Sequence, residues 1–300
     1  MSDRPNADTA GFDRLLAFSL PDRHARGRIV RLGPVLGKIL DAHAYAPPIK
    51  QLLAEALVVT ALLGGLLKRE ASQLTLQAQT AGGVVELLVC DYRDGELRGY
   101  VKHDADRLMS PGAVSSLEMF FGKGNLAITF DVGQTGQRYQ GVVPLEGASL
   151  AEAVERYFAQ SEQVPTLIRA AVRIAGETCA AGGLLVQHLA DTEEGGDRLH
   201  ARLDHPEWDH VAVLAQTVQA EELIDPDLAP EALVWRLFNE EREIRVQPAA
   251  RLSRGCRCSV VHFEQLLARF PKEDRRDMRD ENGIIRVDCA FCSREFPIQD

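Results

Sequence analysis

The sequence predicts an α+β protein with an antiparallel-sheet N-terminal domain with packed helices, a helical linker and a small cysteine-bearing C-terminal module. Three observations predict this organisation. Apolar and polar residues alternate in runs between Gln73 and Glu146, which is the period of half-buried strands. A strongly acidic stretch follows, and the chain ends with two close pairs of cysteines. The predicted parts are residues 1–187, 188–248 and 249–300.

Local signals define the elements of the N-terminal domain. Pro47-Pro48 opens a long helix, since proline is tolerated in the first helical turn. Asp94-Gly95 is the strongest hairpin turn between the alternating runs. We expect a sheet of five to seven strands with helices packed on it. In chain order the predicted elements are a strand and a helix within Gly27–Ala42, a helix from Pro47 to about Lys68, strands between Gln73 and Glu146, a helix at Leu150–Gln160, and strands within Thr166–Gln187 around Gly182-Gly183.

The composition is that of a globular protein. Of 300 residues, 45% are hydrophobic and 26% are charged, and the formal net charge is -10. An acidic chain is poorly suited to gripping phosphate backbones, so we expect no nucleic-acid partner. The longest apolar run, Ala56–Leu67, has 12 residues, fewer than the roughly 20 that a bilayer-spanning helix needs. Met1–Ala10 is polar and acidic, unlike a secretion signal, so we predict a cytoplasmic protein without a membrane partner.

The N-terminal domain contains no motif that assembles a catalytic site. Gly122-Lys123-Gly124 lacks the GxxxxGK(S/T) spacing of a phosphate-binding loop and is interpreted as a turn. GxSxG, HExxH and paired-carboxylate motifs are also missing from the sequence. We therefore predict that the protein is not an enzyme.

The predicted linker carries the excess of negative charge. Residues 188–248 contain 15 acidic and 5 basic side chains, whereas the parts before and after are nearly neutral. Apolar residues recur there at helical spacing around Trp208, and Pro230 opens a second amphipathic run. A self-repelling helical segment that depends on an apolar surface is predicted to be metastable. The alternative is a well-packed helical subdomain with a solvated acidic face.

Four of the six cysteines form two close pairs near the C-terminus. Cys256 and Cys258 form a CxC, and Cys289 and Cys292 form a CxxC thirty residues further on. Two such pairs can converge on one tetrahedral ion, and zinc prefers four sulfur or nitrogen ligands. A module of about 50 residues with few large apolar side chains usually needs a metal to fold. We predict one zinc ion per chain in the reduced protein, held by these four cysteines, with His262 in place of one sulfur as the alternative.

The other cysteines and two linker histidines form no ligand pattern. Cys90 and Cys179 lie in strand regions with apolar or glycine neighbours, so we predict that they are buried free thiols. His205 and His210 are five residues apart, not the four that align side chains on one helix face. We predict that both are surface residues.

In its four C-terminal cysteines and in several segments of its N-terminal domain, the chain resembles the redox-regulated bacterial 33 kDa chaperonin, a family of heat-shock holdases. The CxC and CxxC of the tail are similar to the zinc switch of that family, and the resemblance extends over nearly the whole chain. The segments of the N-terminal domain that carry it are Tyr45-Ala46-Pro47-Pro48, Gly122-Lys123-Gly124-Asn125-Leu126, Arg138-Tyr139-Gln140-Gly141-Val142-Val143, Ser161-Glu162-Gln163 with Pro165-Thr166, and Gly182-Gly183-Leu184-Leu185.

The resemblance implies an ATP-independent molecular chaperone that binds unfolding proteins under oxidative and heat stress. The reduced, zinc-bound form is expected to be inactive. Peroxide with heat, or hypochlorous acid, is expected to form the disulfides Cys256–Cys258 and Cys289–Cys292, to expel zinc, and to unfold the module and the linker. The implied partners are unfolded or partly unfolded client proteins, and the active form is expected to be a homodimer.

An energy comparison favours a switch over a purely structural zinc site. Structural zinc contributes roughly 10–16 kcal/mol to the folding of a small module. A disulfide that closes a loop of three or four residues contributes only about 1.5–2 kcal/mol in the loop-entropy model. Oxidation of the cysteine pairs should therefore unfold the module instead of locking it.

Two other functions remain open at the level of the sequence. A zinc-ribbon nucleic-acid-binding protein would use the C-terminal module, but a module with 10 basic and 9 acidic residues lacks the basic patch of such proteins. A thiol oxidoreductase would use Cys289-Ala290-Phe291-Cys292, although a redox CxxC normally opens a helix after a strand. The chaperone is ranked first and the oxidoreductase third.

Overall fold

The computed structural model describes residues 11–67, 71–80, 82–108, 116–133, 136–176, 178–189 and 205–299. The predicted helix end near Lys68 and residues 190–204 of the predicted linker lie outside these ranges. The strands are β1 (Arg14–Leu20), β2 (Ala25–Leu32), β3 (Gln73–Thr80), β4 (Val85–Arg93), β5 (Glu96–His103), β6 (Gly124–Val132), β7 (Gln137–Pro144), β8 (Thr166–Ala175), β9 (Thr178–His188), β10 (Arg245–Arg251), β11 (Ser253–Arg254), β12 (Ile284–Asp288) and β13 (Glu295–Gln299). The helices are α1 (Pro34–Leu40), α2 (Pro47–Gly64), α3 (Leu117–Phe121), α4 (Leu150–Tyr157), α5 (Pro206–Gln216), α6 (Ala220–Ile224), α7 (Pro230–Phe238), α8 (Val260–Leu267) and α9 (Lys272–Asp277).

The strands of the described N-terminal part form two sheets, not the single sheet that the sequence predicts. The first sheet has the antiparallel order β10-β1-β2-β9-β8. The second has the order β11-β5-β4-β3-β6-β7, and β11 pairs with β5 in parallel. The predicted α+β class with antiparallel sheets and packed helices is confirmed, and the number of sheets is corrected.

The helix α2 lies between the two sheets and explains this architecture. It contacts β2, β8 and β9 of the first sheet and β3, β4 and β5 of the second. Apolar side chains on all sides of α2 are therefore buried. By length and composition α2 could cross a membrane, but 72% of it is buried inside the protein, as in a core helix. Gly64 at its end leaves room for the ring of Tyr92, since a Cβ there would lie 2.2 Å from a ring atom.

The helices α5, α6 and α7 cover the outer face of the first sheet. Apolar side chains of β1, β2, β8 and β9 form a core cluster with those of the three helices. Phe18 of β1 and Phe238 of α7 illustrate the contact, with ring centroids 5.6 Å apart. The residues of this cluster are Leu16, Phe18, Leu20, Ala25, Ile29, Leu167, Ala171, Ala180, Leu184 and Val186 from the sheet, and Val211, Ala212, Ala215, Val218, Leu223, Ile224, Leu233, Val234, Leu237 and Phe238 from the cover.

The structure defines three other predicted features more closely. The pair Gly182-Gly183 lies inside β9, and the hairpin turn falls between Ala175 and Thr178, where Gly176 has a φ of +59°. The helical part of the predicted linker ends before β10, which returns to the first sheet and spans the predicted boundary at residue 248. The helix predicted over Leu150–Gln160 leaves the α conformation after Tyr157.

Candidate metal centre

The first cysteine pair lies in the connection between β11 and α8. The amide of Gly255 donates to the carbonyl of Leu97 at 2.9 Å, which fixes the chain just before Cys256. Ser259 then caps α8, and its hydroxyl accepts a hydrogen bond from the amide of His262 at 3.1 Å. Cys256 and Cys258 are thus held between an anchored strand and a capped helix.

The second pair lies in the turn that joins β12 to β13. The amide of Cys289 donates to Arg294 at 3.0 Å, and the amide of Cys292 donates back to the carbonyl of Cys289 at 3.2 Å. Ser293 has a φ of +54°, a left-handed conformation that lets the chain reverse into β13. This tight turn directs both sulfurs toward the first pair.

The four sulfur atoms form one cluster in which every pair lies within 4.8 Å. The Sγ of Cys256 is 3.3 Å from that of Cys258 and 3.5 Å from that of Cys289, and the Sγ atoms of Cys258 and Cys292 are 3.5 Å apart. A tetrahedron of sulfurs around zinc, with bonds of about 2.3 Å, has edges of about 3.8 Å. The donor set and its spacing therefore fit a tetrahedral thiolate metal centre, and all four are free cysteines.

Without a bound cation, the thiols of the cluster differ in how easily they ionise. Burial opposes ionisation of Cys256, but hydrogen bonds from Cys258 and the other two thiols outweigh it and lower its pKa. Burial and these same hydrogen bonds raise the pKa of Cys258 well above the usual range, and burial also raises the pKa of Cys289. Four thiolates this close together would repel one another, so the ionisation of all four needs a bound cation.

The module around the cluster has a small apolar core of its own. Phe263 and Phe296 lie at its centre, with ring centroids 5.0 Å apart. The buried members of this core are Phe263, Leu267, Ile285, Cys289, Phe296 and Ile298. One of the six is itself a cluster cysteine, so loss of a bound metal would remove a large part of what holds the module together.

Side chains beside the cysteines attach the module to the second sheet. Arg257 donates to Gln73 at 2.6 Å and lies 3.5 Å from the carboxylate of Asp91. Asp91 is buried and is also bound by Arg98, whose guanidinium carbon lies 4.0 Å from the ring centroid of Phe291. This stacking of a guanidinium on an aromatic face is a cation–π contact.

His43, after α1, contacts the second cysteine turn. Its Nε2 donates to the carbonyl of Ala290 at 2.8 Å, and its Nδ1 accepts from the hydroxyl of Ser293 at 3.0 Å. His43 and Arg98 were not singled out in the sequence, because their partners lie about two hundred residues away in the chain. The module is therefore docked on the body through both of its cysteine turns.

The other predicted residues lie away from the cluster. His262 is exposed on α8 and does not belong to the cluster. Cys90 is fully buried, as predicted, and burial raises its pKa. Cys179 is only half-buried, because it lies next to the turn of the β8–β9 hairpin, so the prediction of burial was wrong for it.

The two linker histidines are half-buried, so their prediction as surface residues is corrected. The ring of His205 packs on His188 with centroids 4.9 Å apart, and its Nδ1 accepts from the amide of Glu207 at the start of α5. His210 lies 2.7 Å from the buried carboxylate of Glu241. Both therefore serve the packing of α5 against its surroundings.

The fold and the site define a class of α+β proteins. Such a protein has a two-sheet body, a helical cover on one sheet and a docked C-terminal module with four clustered cysteines. The sequence model of the family described as Hsp33 protein matches residues 13–299. The chain belongs to the Hsp33 family, which confirms the predicted resemblance.

Similar proteins cover nearly the full length of the chain. A 33 kDa chaperonin of Caulobacter vibrioides is 38% identical over 304 residues, which are 97% of this chain and 96% of that protein. A 33 kDa chaperonin of Pseudoalteromonas atlantica is 34% identical, over 95% of this chain and 92% of that protein. The crystal structure of the 33 kDa chaperonin of Thermotoga maritima has a TM-score of 0.79 at 22% identity and covers 96% of this chain and 95% of that chain. The names of the family and of these relatives support a chaperone, a class of protein that binds unfolded client proteins.

Proposed function

We propose that the chain is a redox-regulated, ATP-independent holdase that is activated by oxidation of its four C-terminal cysteines. One observation carries the proposal. The chain covers an apolar sheet face with helices, and after the strands β10 and β11 it brings together four sulfurs that lie within 4.8 Å of one another. A change at the sulfurs can therefore alter how firmly the cover is held.

The connection between cover and cluster is short and well anchored. After α7 the chain forms β10 at the edge of the first sheet, and Leu252 then packs into the core around α2. Ser253 and Gly255 bind the backbone of Gly95 and Leu97 in the second sheet, and Cys256 follows at once. Loosening of the module would release the last anchors on the C-terminal side of the cover.

Cys256, Cys258, Cys289 and Cys292 are the proposed zinc ligands and the proposed redox-active residues. When bound, zinc supplies a tetrahedral clamp worth roughly 10–16 kcal/mol to the module. Under peroxide, each neighbouring pair gives up two electrons and forms one sulfur–sulfur bond, and the peroxide takes up two protons and becomes water. The sulfurs of a disulfide no longer carry the negative charge that a zinc ligand needs.

The disulfides Cys256–Cys258 and Cys289–Cys292 would close rings of three and four residues and contribute only about 1.5–2 kcal/mol each. This is far less than the metal contributes, so the oxidised module should unfold together with the cover. Residues 1–187 would then act as the client-binding core, 188–248 as the metastable linker and 249–300 as the switch.

The proposal includes the remaining expectations from the sequence. Clients are held under oxidative and heat stress without ATP, and the active form is a homodimer in the cytoplasm. Nucleic acid and membranes are not partners, and no catalytic turnover is involved. The acidic linker supports this view because its charges repel one another when its apolar contacts are lost.

Light scattering of heat-denatured citrate synthase tests the function. The peroxide-treated protein should suppress aggregation, and the reduced protein should not. Cys289→Ser breaks the set of four ligands, so this variant should contain less zinc and protect the client even when reduced. Cys179→Ser alters a cysteine outside the cluster and should behave as the unaltered chain. Equal suppression by the reduced and the oxidised unaltered protein would contradict the proposal.

A further inference from the structure

Arg31 of β2 lies beneath the helical cover and has no exposed surface. Three of its nitrogens bind backbone carbonyls of the cover. The Nε donates to Leu223 at 3.1 Å, and the two terminal nitrogens donate to Leu228 at 2.7 Å and to Glu222 at 3.0 Å. A charged side chain beside the apolar cluster of this sheet face thus binds main-chain atoms of the segment that covers it.

Gly182 of β9 completes this site. It is the register partner of Arg31 in the neighbouring strand. A Cβ atom at Gly182 would lie 2.0 Å from the carbonyl oxygen of Leu223. The missing side chain leaves a notch into which a backbone carbonyl fits, next to the guanidinium that binds it.

The surroundings of the site are apolar, and its ligands are backbone atoms. Ile29 on β2 and Leu184 on β9 belong to the same buried face. Burial lowers the pKa of Arg31, and the more distant charges of Asp225 and Glu231 partly oppose this effect. Desolvation of a guanidinium offsets much of what its hydrogen bonds contribute.

Backbone carbonyls are present in every polypeptide, whatever its sequence. Glu222 and Leu223 lie in the last turn of α6, where carbonyls have no donor within the helix. Building on the proposed holdase function, we propose that Arg31 and Gly182 form a client-binding site that recognises backbone carbonyls of unfolding polypeptides once α6 has left. The partners that fit are frayed helix ends with aliphatic side chains beside free carbonyls, as in the segment that occupies the site.

This site explains how one surface can accept many clients. The guanidinium selects for unpaired main-chain acceptors, which folded proteins rarely expose and unfolding proteins do. The apolar face around it adds affinity through burial that does not depend on the order of the side chains. In the reduced chain, α6 occupies the site as an internal substitute for a client.

Binding of permanently unfolded, carboxymethylated α-lactalbumin to the oxidised full-length protein tests the site. Arg31→Met should weaken binding about tenfold, because hydrogen bonds to a charged group are lost. Arg31→Lys keeps the charge without the planar fork and should bind with intermediate affinity. Arg14→Met is the matched control, since Arg14 is the register partner of Arg31 on β1 and makes no hydrogen bond to the described linker residues. It should change the affinity little.

A synthetic peptide of residues 219–230 provides a second test on the same oxidised protein. The peptide should compete with carboxymethylated α-lactalbumin, and an ester in place of the amide after Leu223 should weaken the competition because an ester carbonyl is a poorer acceptor. Arg31→Met should remove this difference. If Arg31→Met binds the client like Arg14→Met, or if both peptides compete equally or not at all, the site is refuted while the holdase function stands. If the oxidised unaltered protein binds the client no better than the reduced protein, the proposed function itself fails.

Discussion

Phe291 links the cluster to the body although it is not a predicted ligand. It lies between Cys289 and Cys292 in the second cysteine turn, and its ring faces Arg98 and lies 6.4 Å from that of Tyr100. A cation–π contact of this kind contributes roughly 0.5–2 kcal/mol. The turn that carries Cys289 and Cys292 is thus held in place by an aromatic side chain. A search of the sequence for metal-ligating residue types does not detect it.

We expect Phe291→Ala to make the protein more sensitive to oxidant. Without the ring, the second turn loses its contact with Arg98, so zinc release under peroxide should be about three to ten times faster. Phe270→Ala is the control, because Phe270 belongs to the same module but is 42% exposed. Release of zinc can be followed with a chromogenic chelator. Identical release rates in the two variants would show that the docking of this turn plays no part.

At the level of single residues, the sequence predicts the cluster but not its attachment. Ligands for one ion must come in close local pairs, so the spacing of Cys256, Cys258, Cys289 and Cys292 is visible along the chain. His43 binds Ala290 across 247 residues, and no local pattern marks such a contact. The sequence therefore predicts which sulfurs meet, whereas the surface on which they dock required the structure.

At the level of elements, the sequence predicts most strands of the body but not β1 and β10. β1 has buried residues on both faces, since one side packs on the α2 core and the other on the cover, and strict alternation is lost. β10 contains Pro248, which argues against a central strand but is tolerated at the edge that β10 occupies. Strands with one solvated face, such as those on either side of Asp94-Gly95, were predicted correctly.

The pair Gly182-Gly183 lies in the interior strand β9, where both faces of the sheet are crowded. Gly182 faces the carbonyl of Leu223 in α6, and a Cβ at Gly183 would lie 2.5 Å from the side chain of Val58 in α2. Glycine in a strand often marks such a close approach. The structure therefore assigns to this pair the packing of one helix on each side of the sheet.

We expect Gly182→Ala to loosen the cover without oxidant. A methyl group 2.0 Å from the carbonyl of Leu223 forces α6 away from the sheet, so amide exchange in α6 of the reduced protein should become at least about tenfold faster. Gly37→Ala is the matched control, since nothing lies within 4 Å of the added atom. Hydrogen exchange with mass spectrometry gives the comparison. Unchanged protection of α6 in Gly182→Ala would mean that this close approach does not hold the cover.

At the level of the whole molecule, the cover is fixed at both ends and by charges from the body. It leaves the first sheet after β9 and returns to the same sheet as β10. Arg23 of the body binds Glu207 at the start of α5 and Glu241 after α7, the latter at 2.8 Å. Glu241 is nearly buried, so this ion pair is better shielded from solvent than most surface pairs. The acidic excess of the linker is thus partly balanced while the cover is docked.

The central claim is that the thiolate centre keeps the cover folded, and parallel measurement of zinc release and hydrogen exchange tests it most directly. Both are followed on the same sample of the unaltered protein before and after peroxide treatment. Loss of about one zinc ion per chain should coincide with loss of protection in α5, α6 and α7, while α2 stays protected. Zinc release that leaves the protection of these three helices unchanged would contradict the account.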